Sequence, residues 1–231
     1  MKFRNSIKPI LAIALTAAVF VASRYAASFV PLPPGSFIPR TSVMQTIFLV
    51  FCIAAMLLIS KGRLASFGFT RGTYIFSPRI LWWVLPAAVF PIVGAIVSRG
   101  GPSAAGPFEF TKVQWILFIW LYSSFCEEVL VRGLLQTLLS NAAPAGAAAR
   151  RWLSMPVVVS GLFFGAMHLV LIQRMGPQAI PIVLMVTYLG LVAAHYREKT
   201  GSLLPAILLH VLFNIVGILP FWVVQWLRGG L

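Results

Sequence analysis

The sequence predicts an all-α protein, a polytopic bundle of transmembrane helices, and two observations carry this prediction. Of the 231 residues, 60% are apolar and only 10% are charged, whereas a soluble globular domain has about 25% charged residues. The apolar residues also cluster into segments of nearly 20, which is about the length that an α-helix needs to cross a bilayer. We therefore expect one integral membrane domain.

Three apolar segments precede residue 113, at 9–30, 43–60 and 80–97. Basic residues flank the first one, as they would a signal peptide, but the later segments favour a retained span. A Pro- and Gly-rich stretch ends it, and a basic loop follows the second segment. The third contains Pro86 and Pro91, which membrane helices tolerate. We expect residues 1–112 to form N-terminal spans of no assigned role.

Four further apolar segments follow, at 113–139, 155–172, 180–194 and 202–219. Three of them contain ionisable residues, so residues 113–219 form the predicted functional core. Pro220 either kinks the last segment or begins a short terminal helix within residues 220–231. The sequence therefore predicts seven spans, with eight as the alternative.

The basic residues predict the orientation in the membrane. The chain has 18 Lys and Arg, 4 acidic residues and a net charge of +14. When loops are assigned to alternating sides, eleven basic residues share the side of the N-terminus and six lie on the other side. Positive loops stay in the cytoplasm, so we expect a cytoplasmic N-terminus. The charge then indicates topology and contact with anionic lipids, and no nucleic-acid partner is expected.

A polar set lies inside the predicted spans, where ionisable side chains are costly and face the protein interior. Glu128 and Arg132 are four residues apart, so they share a helical face and can form an ion pair. Glu127 points about 100° away from Glu128, because a helix has 3.6 residues per turn. Glu127 is therefore free to act as a general acid or base.

His210 and Asn214 are also four residues apart on one helical face, and His168 lies on another span, four residues after Phe164. If these faces meet Glu127, an intramembrane cavity holds a carboxylate, two imidazoles and an amide. Such groups can activate water and donate hydrogen bonds to a developing oxyanion. The set is typical of amide hydrolysis.

Three motifs follow one another along the sequence: EExxxR at 127–132, FxxxH at 164–168 and HxxxN at 210–214. Together they resemble those of the CAAX protease and bacteriocin-processing family of intramembrane endopeptidases, which includes the type II CAAX prenyl endopeptidase. The resemblance covers about residues 113–219. The stretch 200–210 is similar to bacterial members, which implies a bacterial cell membrane.

The resemblance also implies roles for the residues of these motifs. Glu127 would be the catalytic glutamate that activates water, and His168 would bind or orient that water. His210 and Asn214 would stabilise the oxyanion. As structural support, Glu128 would pair with Arg132, and Phe164 would pack in the pocket. The substrate would be a peptide or lipopeptide in the membrane.

Metal use is open at this point. A zinc site needs about three protein ligands plus water, and Glu127, His168 and His210 could supply them. The sequence has no HExxH motif, and the family's glutamate mechanism needs no metal. We therefore favour a reaction without a cofactor, with zinc as the alternative.

The same residues also allow a function of another class, without peptidase activity. A transporter or a non-enzymatic scaffold could use the same polar cluster for proton transfer or helix packing. A transporter would favour inverted repeats with broken helices, and the two halves of this sequence do not match. A scaffold with a decayed site would be expected to lack one of the motif residues, and all of them are present.

Overall fold

A computed structural model describes residues 2–72, 80–97, 110–142 and 153–228, and these ranges contain no β-strand. The described chain forms seven long helices and one short one, which confirms the all-α prediction. The long helices are α1 (Lys2–Ser28), α2 (Arg40–Ser60), α3 (Ile80–Val97), α4 (Lys112–Ala142), α5 (Met155–Met167), α7 (Ile180–Thr200) and α8 (Leu204–Leu227). The short helix α6 is Val170–Met175.

The helices are long and apolar enough for a membrane protein. Five helical stretches of the described chain could cross a bilayer by length and composition: Ile7–Ser28, Arg40–Ser60, Lys112–Ala142, Met155–Thr200 and Leu204–Val224. The fourth is 46 residues long and contains both α5 and α7. Large apolar side chains also point outward, with Leu58 82% and Trp82 72% exposed. The protein is therefore an integral membrane protein, as predicted.

Helices α1, α7 and α8 extend well beyond their predicted segments, with α1 beginning at Lys2, and one predicted segment is interrupted. Helix α8 continues through Pro220 to Leu227, so no separate terminal helix begins at Pro220. Helix α7 extends to Thr200. The predicted segment 155–172 is broken after Met167, for a reason that lies in the side chain of His168 and is described with the site. Of the residues used to predict the orientation, Arg79, Arg99, Arg150 and Arg151 lie outside the described ranges, and the cytoplasmic N-terminus stays a prediction.

Helix α4 lies at the centre of the bundle. All seven residues from Val129 to Leu135 are buried, and α1, α2, α5 and α7 pack around them. Trp115–Ser123 and Val129–Leu135 are wound in the wider π form, with one α-helical turn, Ser124–Glu128, between them. The sequence predicted a regular helix here. Segments of π-helix are rare and often mark functional sites, and this turn carries both glutamates.

Helices α5 and α7 approach each other closely through glycines. A Cβ atom added to Gly190 on α7 would lie 2.8 Å from the carbonyl oxygen of Gly161 on α5. One at Gly165 would overlap Thr187. Gly161 and Gly165 form a GxxxG motif, and small residues let membrane helices come into backbone contact. This contact fixes the position of α5, and hence of His168.

We expect Gly190→Ala to lower the free energy of unfolding by about 1–3 kcal/mol, because overpacking here must move backbone and not a flexible side chain. Gly217→Ala on α8 is the matched control, since a Cβ there meets nothing within 4 Å. Thermal unfolding in detergent measures both. Equal stability of the two variants would contradict the close packing of α5 and α7.

Candidate active site

The carboxylate of Glu127 has two different sides. Its Oε1 accepts hydrogen bonds from Ser123 Oγ at 2.6 Å and from Gln45 Nε2 at 3.2 Å. Its Oε2 is buried without a hydrogen-bond partner, and lies 3.9 Å from His168 Nε2 and 4.0 Å from His210 Nε2. One oxygen is thus held by the protein, while the other faces two imidazoles.

His168 ends helix α5 with its own side chain. Its backbone N–H bonds to the Gly165 carbonyl at 3.0 Å, while its ring Nδ1 lies 2.9 Å from the Phe164 carbonyl. The ring therefore takes the acceptor that the backbone N–H of His168 itself would use in a continuing helix. Because a carbonyl only accepts, Nδ1 carries the hydrogen. In the neutral ring, Nε2 then presents a lone pair to Glu127.

Glu128 and Arg132 form the ion pair that their spacing predicted. Arg132 Nη1 lies 3.1 Å from Glu128 Oε1, and both side chains are fully buried. Arg132 Nη2 also donates to the Gly190 carbonyl at 2.7 Å, and its guanidinium lies 4.5 Å from the centre of the Phe164 ring. Arg132 therefore joins α4 to both α5 and α7.

His210 is the second partner of Glu128. Its Nδ1 lies 2.9 Å from Glu128 Oε1, the same oxygen that Arg132 binds. The edge of the Phe164 ring packs against the His210 ring, with centres 5.3 Å apart. A carboxylate accepts, so Nδ1 donates and Nε2 is the ring nitrogen left to face Glu127. The sequence predicted that Glu128 serves Arg132, and the structure adds that it orients His210 as well.

Asn214 binds α4 one turn before the glutamates. Its Nδ2 donates to the Ile119 carbonyl at 3.2 Å and to Ser124 Oγ at 3.0 Å. The Ser124 contact lies where a π segment meets the turn that carries Glu127, and the Ile119 contact lies within that π segment, so both fasten α8 to α4. Its predicted role at an oxyanion stays a prediction, and it requires one of these contacts to be exchanged.

The positions of Glu127 Oε2, His168 Nε2 and His210 Nε2 decide whether these side chains can hold zinc. Zinc binds histidine nitrogen and carboxylate oxygen at about 2.0–2.1 Å. Bonds of that length to atoms 3.9 and 4.0 Å apart require angles at the metal of about 145–155°, compared with about 109° in a tetrahedral site. Among the described residues, no group of three or more His, Cys, Asp or Glu side chains is placed to hold a metal. As arranged, these side chains do not fit zinc.

Comparison with known proteins adds one finding. Residues 109–216 match the family model described as "Type II CAAX prenyl endopeptidase Rce1-like". This part of the chain, just under half of its length, is similar to the CAAX protease family. No curated protein and no solved structure matches the chain. The CAAX proteases are peptidases of membrane-associated substrates, which supports peptidase activity and a membrane-associated peptide substrate here.

Two polar contacts of the candidate active site were not predicted from the sequence. Gln45 and Ser123 bind Glu127, and Gln45 lies outside the matched residues 109–216. For Gln45, the signal available in the sequence was a polar amide within a mostly apolar span. The position four residues before Glu127, on the same helical face, was the signal for Ser123.

Proposed function

We propose that this protein is an intramembrane endopeptidase that hydrolyses peptide bonds with water activated by Glu127. The observation that carries the proposal is the unpartnered Oε2 of Glu127, which is buried opposite two histidine nitrogens. A carboxylate that keeps one oxygen free in a mostly buried site suits a general base.

The spacing of these atoms suits a water molecule. A water that donates to Glu127 Oε2 and to His168 Nε2 at about 2.8 Å joins atoms 3.9 Å apart at an angle of about 90°. That angle is close to the angle between the two hydrogens of water, about 105°. Since both atoms accept, the water donates both hydrogens and keeps a lone pair for the substrate.

The reaction balances with the protein's own groups. The water oxygen forms a bond to the carbonyl carbon of the scissile peptide while Glu127 Oε2 takes one of its protons. The carbonyl oxygen becomes an oxyanion. Glu127 then gives the proton to the leaving nitrogen, the C–N bond breaks, and the products are a carboxylic acid and an amine. Glu127 returns to its ionised state.

His210 is the first candidate to stabilise the oxyanion. Its Nδ1–H is held by Glu128, so its Nε2 donates only when the ring carries both hydrogens. Asn214 supplies a second donor once it exchanges its contact with Ser124. Donors aimed at the developing charge are commonly worth about 10²–10³ in kcat each.

The substrate we propose is a peptide or lipopeptide held at the membrane, in a bacterial cell membrane with the N-terminus of the protease in the cytoplasm. The membrane location agrees with the apolar outward surface of the helices. The substrate class agrees with the matched family. The experiment below compares peptides with and without a prenyl group, and so tests whether the pocket selects prenylated substrates.

We expect the purified protein in liposomes to cleave membrane-associated peptides, and cleavage to persist after zinc is removed. The probes are peptides ending in Cys-a-a-X with and without an S-farnesyl group, together with an acylated peptide of the same sequence. Mass spectrometry identifies new termini before and after chelation, with metal content measured on the same sample.

Absence of new termini from every probe, in protein whose folding is verified by thermal unfolding, would contradict the peptidase proposal. Loss of cleavage on chelation, restored by added zinc, would keep a peptidase but replace the glutamate mechanism with a metal one. Preference for the farnesylated probe would identify a prenyl-peptide substrate.

A further inference from the structure

Gln45 lies on α2, in the N-terminal part of the chain that the family match does not include, yet its side chain reaches the catalytic carboxylate. We propose that Gln45, together with Ser123, is a positioning residue that fixes the rotamer of Glu127, so that one carboxylate oxygen is held and the other faces the histidines. This inference rests on the proposed role of Glu127 and deepens it.

The three side chains form a closed triangle of hydrogen bonds. Gln45 Nε2 donates to Ser123 Oγ at 2.7 Å and to Glu127 Oε1 at 3.2 Å. Ser123 Oγ donates its single hydrogen to the same Oε1 at 2.6 Å. One hydrogen therefore lies along each edge of the triangle, and Oε1 accepts two of the three.

The triangle leaves Glu127 one orientation. A half-turn of the carboxylate about its last bond only exchanges two equivalent oxygens, and any smaller rotation weakens both hydrogen bonds to Oε1. Rotation about the earlier bonds would break both. A water-activating base needs its oxygen within hydrogen-bond reach of the water in a fixed direction, and the triangle supplies that restraint.

Packing alone does not explain Gln45. Its side chain is buried, with 4% exposed, and its Oε1 has no hydrogen-bond partner. A buried amide oxygen without a partner destabilises a protein, so an apolar side chain of similar size would serve helix packing better. The position therefore carries a polar group at a stability cost, and the group it serves is Glu127.

The chain offers a matched control for this proposal. Thr46, the next residue on α2, makes a hydroxyl contact of 2.7 Å with Tyr122 on α4. That contact joins the same two helices, and its two residues are adjacent in sequence to Gln45 and Ser123. Because neither Thr46 nor Tyr122 bonds to Glu127 among the contacts of the described residues, Thr46→Val loosens the helix pair without touching the carboxylate.

We expect Gln45→Leu and Ser123→Ala each to lower kcat about tenfold with KM nearly unchanged, whereas Thr46→Val keeps both values. The double variant of Gln45 and Ser123 should lose clearly less than the product of the single losses, because both residues act on one oxygen. Ser123→Thr keeps the hydroxyl and should restore most of the kcat lost in Ser123→Ala.

A second measurement needs no substrate. The chain has only 4 acidic side chains, so the infrared carboxylate bands are few. The difference between wild type and Glu127→Gln isolates the band of Glu127. We expect this band to shift in Gln45→Leu and Ser123→Ala, and to stay in place in Thr46→Val.

The outcomes separate the two proposals. A shifted band in protein that cleaves no probe would support the triangle while the proposed peptidase function fails. Two results for Gln45→Leu would overturn the role of Gln45 even in an active enzyme. One is an unshifted Glu127 band, and the other is a kcat equal to that of Thr46→Val. Thermal unfolding accompanies each variant, and we expect Gln45→Leu to be at least as stable as wild type.

Discussion

Replacement of Glu127 by Gln is expected to lower kcat by about 10²–10⁴-fold, which is the range that general base catalysis supplies. The amide has nearly the shape of the carboxylate, so it can still contact Ser123 and Gln45. It cannot take a proton from water at neutral pH. Initial rates on the cleaved probe, measured in liposomes with equal amounts of protein, give the ratio.

The folding of this variant should be unchanged. Glu127 forms no ion pair with Arg132, and the nearest nitrogens of both histidines lie 3.9–4.0 Å from its Oε2. Loss of the charge therefore removes little stabilising energy. The apparent unfolding temperature in detergent should stay within a few degrees of wild type, which separates a chemical defect from a folding defect.

Glu198→Gln is the matched control for Glu127→Gln. Glu198 lies near the end of α7, and its Oε1 accepts a hydrogen bond from Ser154 Oγ at 2.6 Å. The substitution is chemically identical but lies away from the candidate active site, so cleavage should continue at the wild-type rate. Wild-type turnover in Glu127→Gln, or equal losses in the two variants, would remove Glu127 as the base.

The sequence was most informative where helical spacing could be applied to side chains that are energetically unfavourable inside a membrane. Two adjacent acids inside an apolar segment are expensive, and helical spacing separated Glu128, which pairs with Arg132, from Glu127, which does not. The structure keeps that separation, with a 3.1 Å ion pair for Glu128. The apolar helices also followed from the length of the apolar segments alone, because a helix that crosses a bilayer needs about 20 mostly apolar residues.

Other features depend on tertiary contacts that one sequence does not specify. The face of α2 that meets α4 decides whether Gln45 reaches Glu127, and an apolar span has little periodicity from which to read its rotation. The break at His168 arises because a side chain competes with the backbone for the Phe164 carbonyl. The π winding of α4 likewise depends on how five helices pack around it.

Arg132→Met is expected to have the largest effect on stability, about 3–5 kcal/mol, because it leaves a buried carboxylate without its cation. Glu128 is fully buried, and its remaining partner is His210. The methionine fills much of the arginine volume, so the loss is mainly electrostatic. Thermal unfolding in detergent, with expression level as a second readout, measures it.

Two explanations of that loss give opposite results in the double variant Glu128→Gln/Arg132→Met. If the uncompensated charge is responsible, removal of both charges should recover most of the stability, since a neutral pair often replaces a buried ion pair at little cost. If the contacts of Arg132 with the Gly190 carbonyl and the Phe164 ring dominate, the double variant should be no more stable than the single one.

The same double variant separates the two tasks of Glu128. Its glutamine still presents an oxygen to His210 Nδ1 but carries no negative charge. We therefore expect the double variant to recover stability while kcat stays about 10²–10³-fold below wild type, the value of one oxyanion donor. Recovery of kcat along with stability would show that His210 needs only orientation, and that the oxyanion is stabilised by another group.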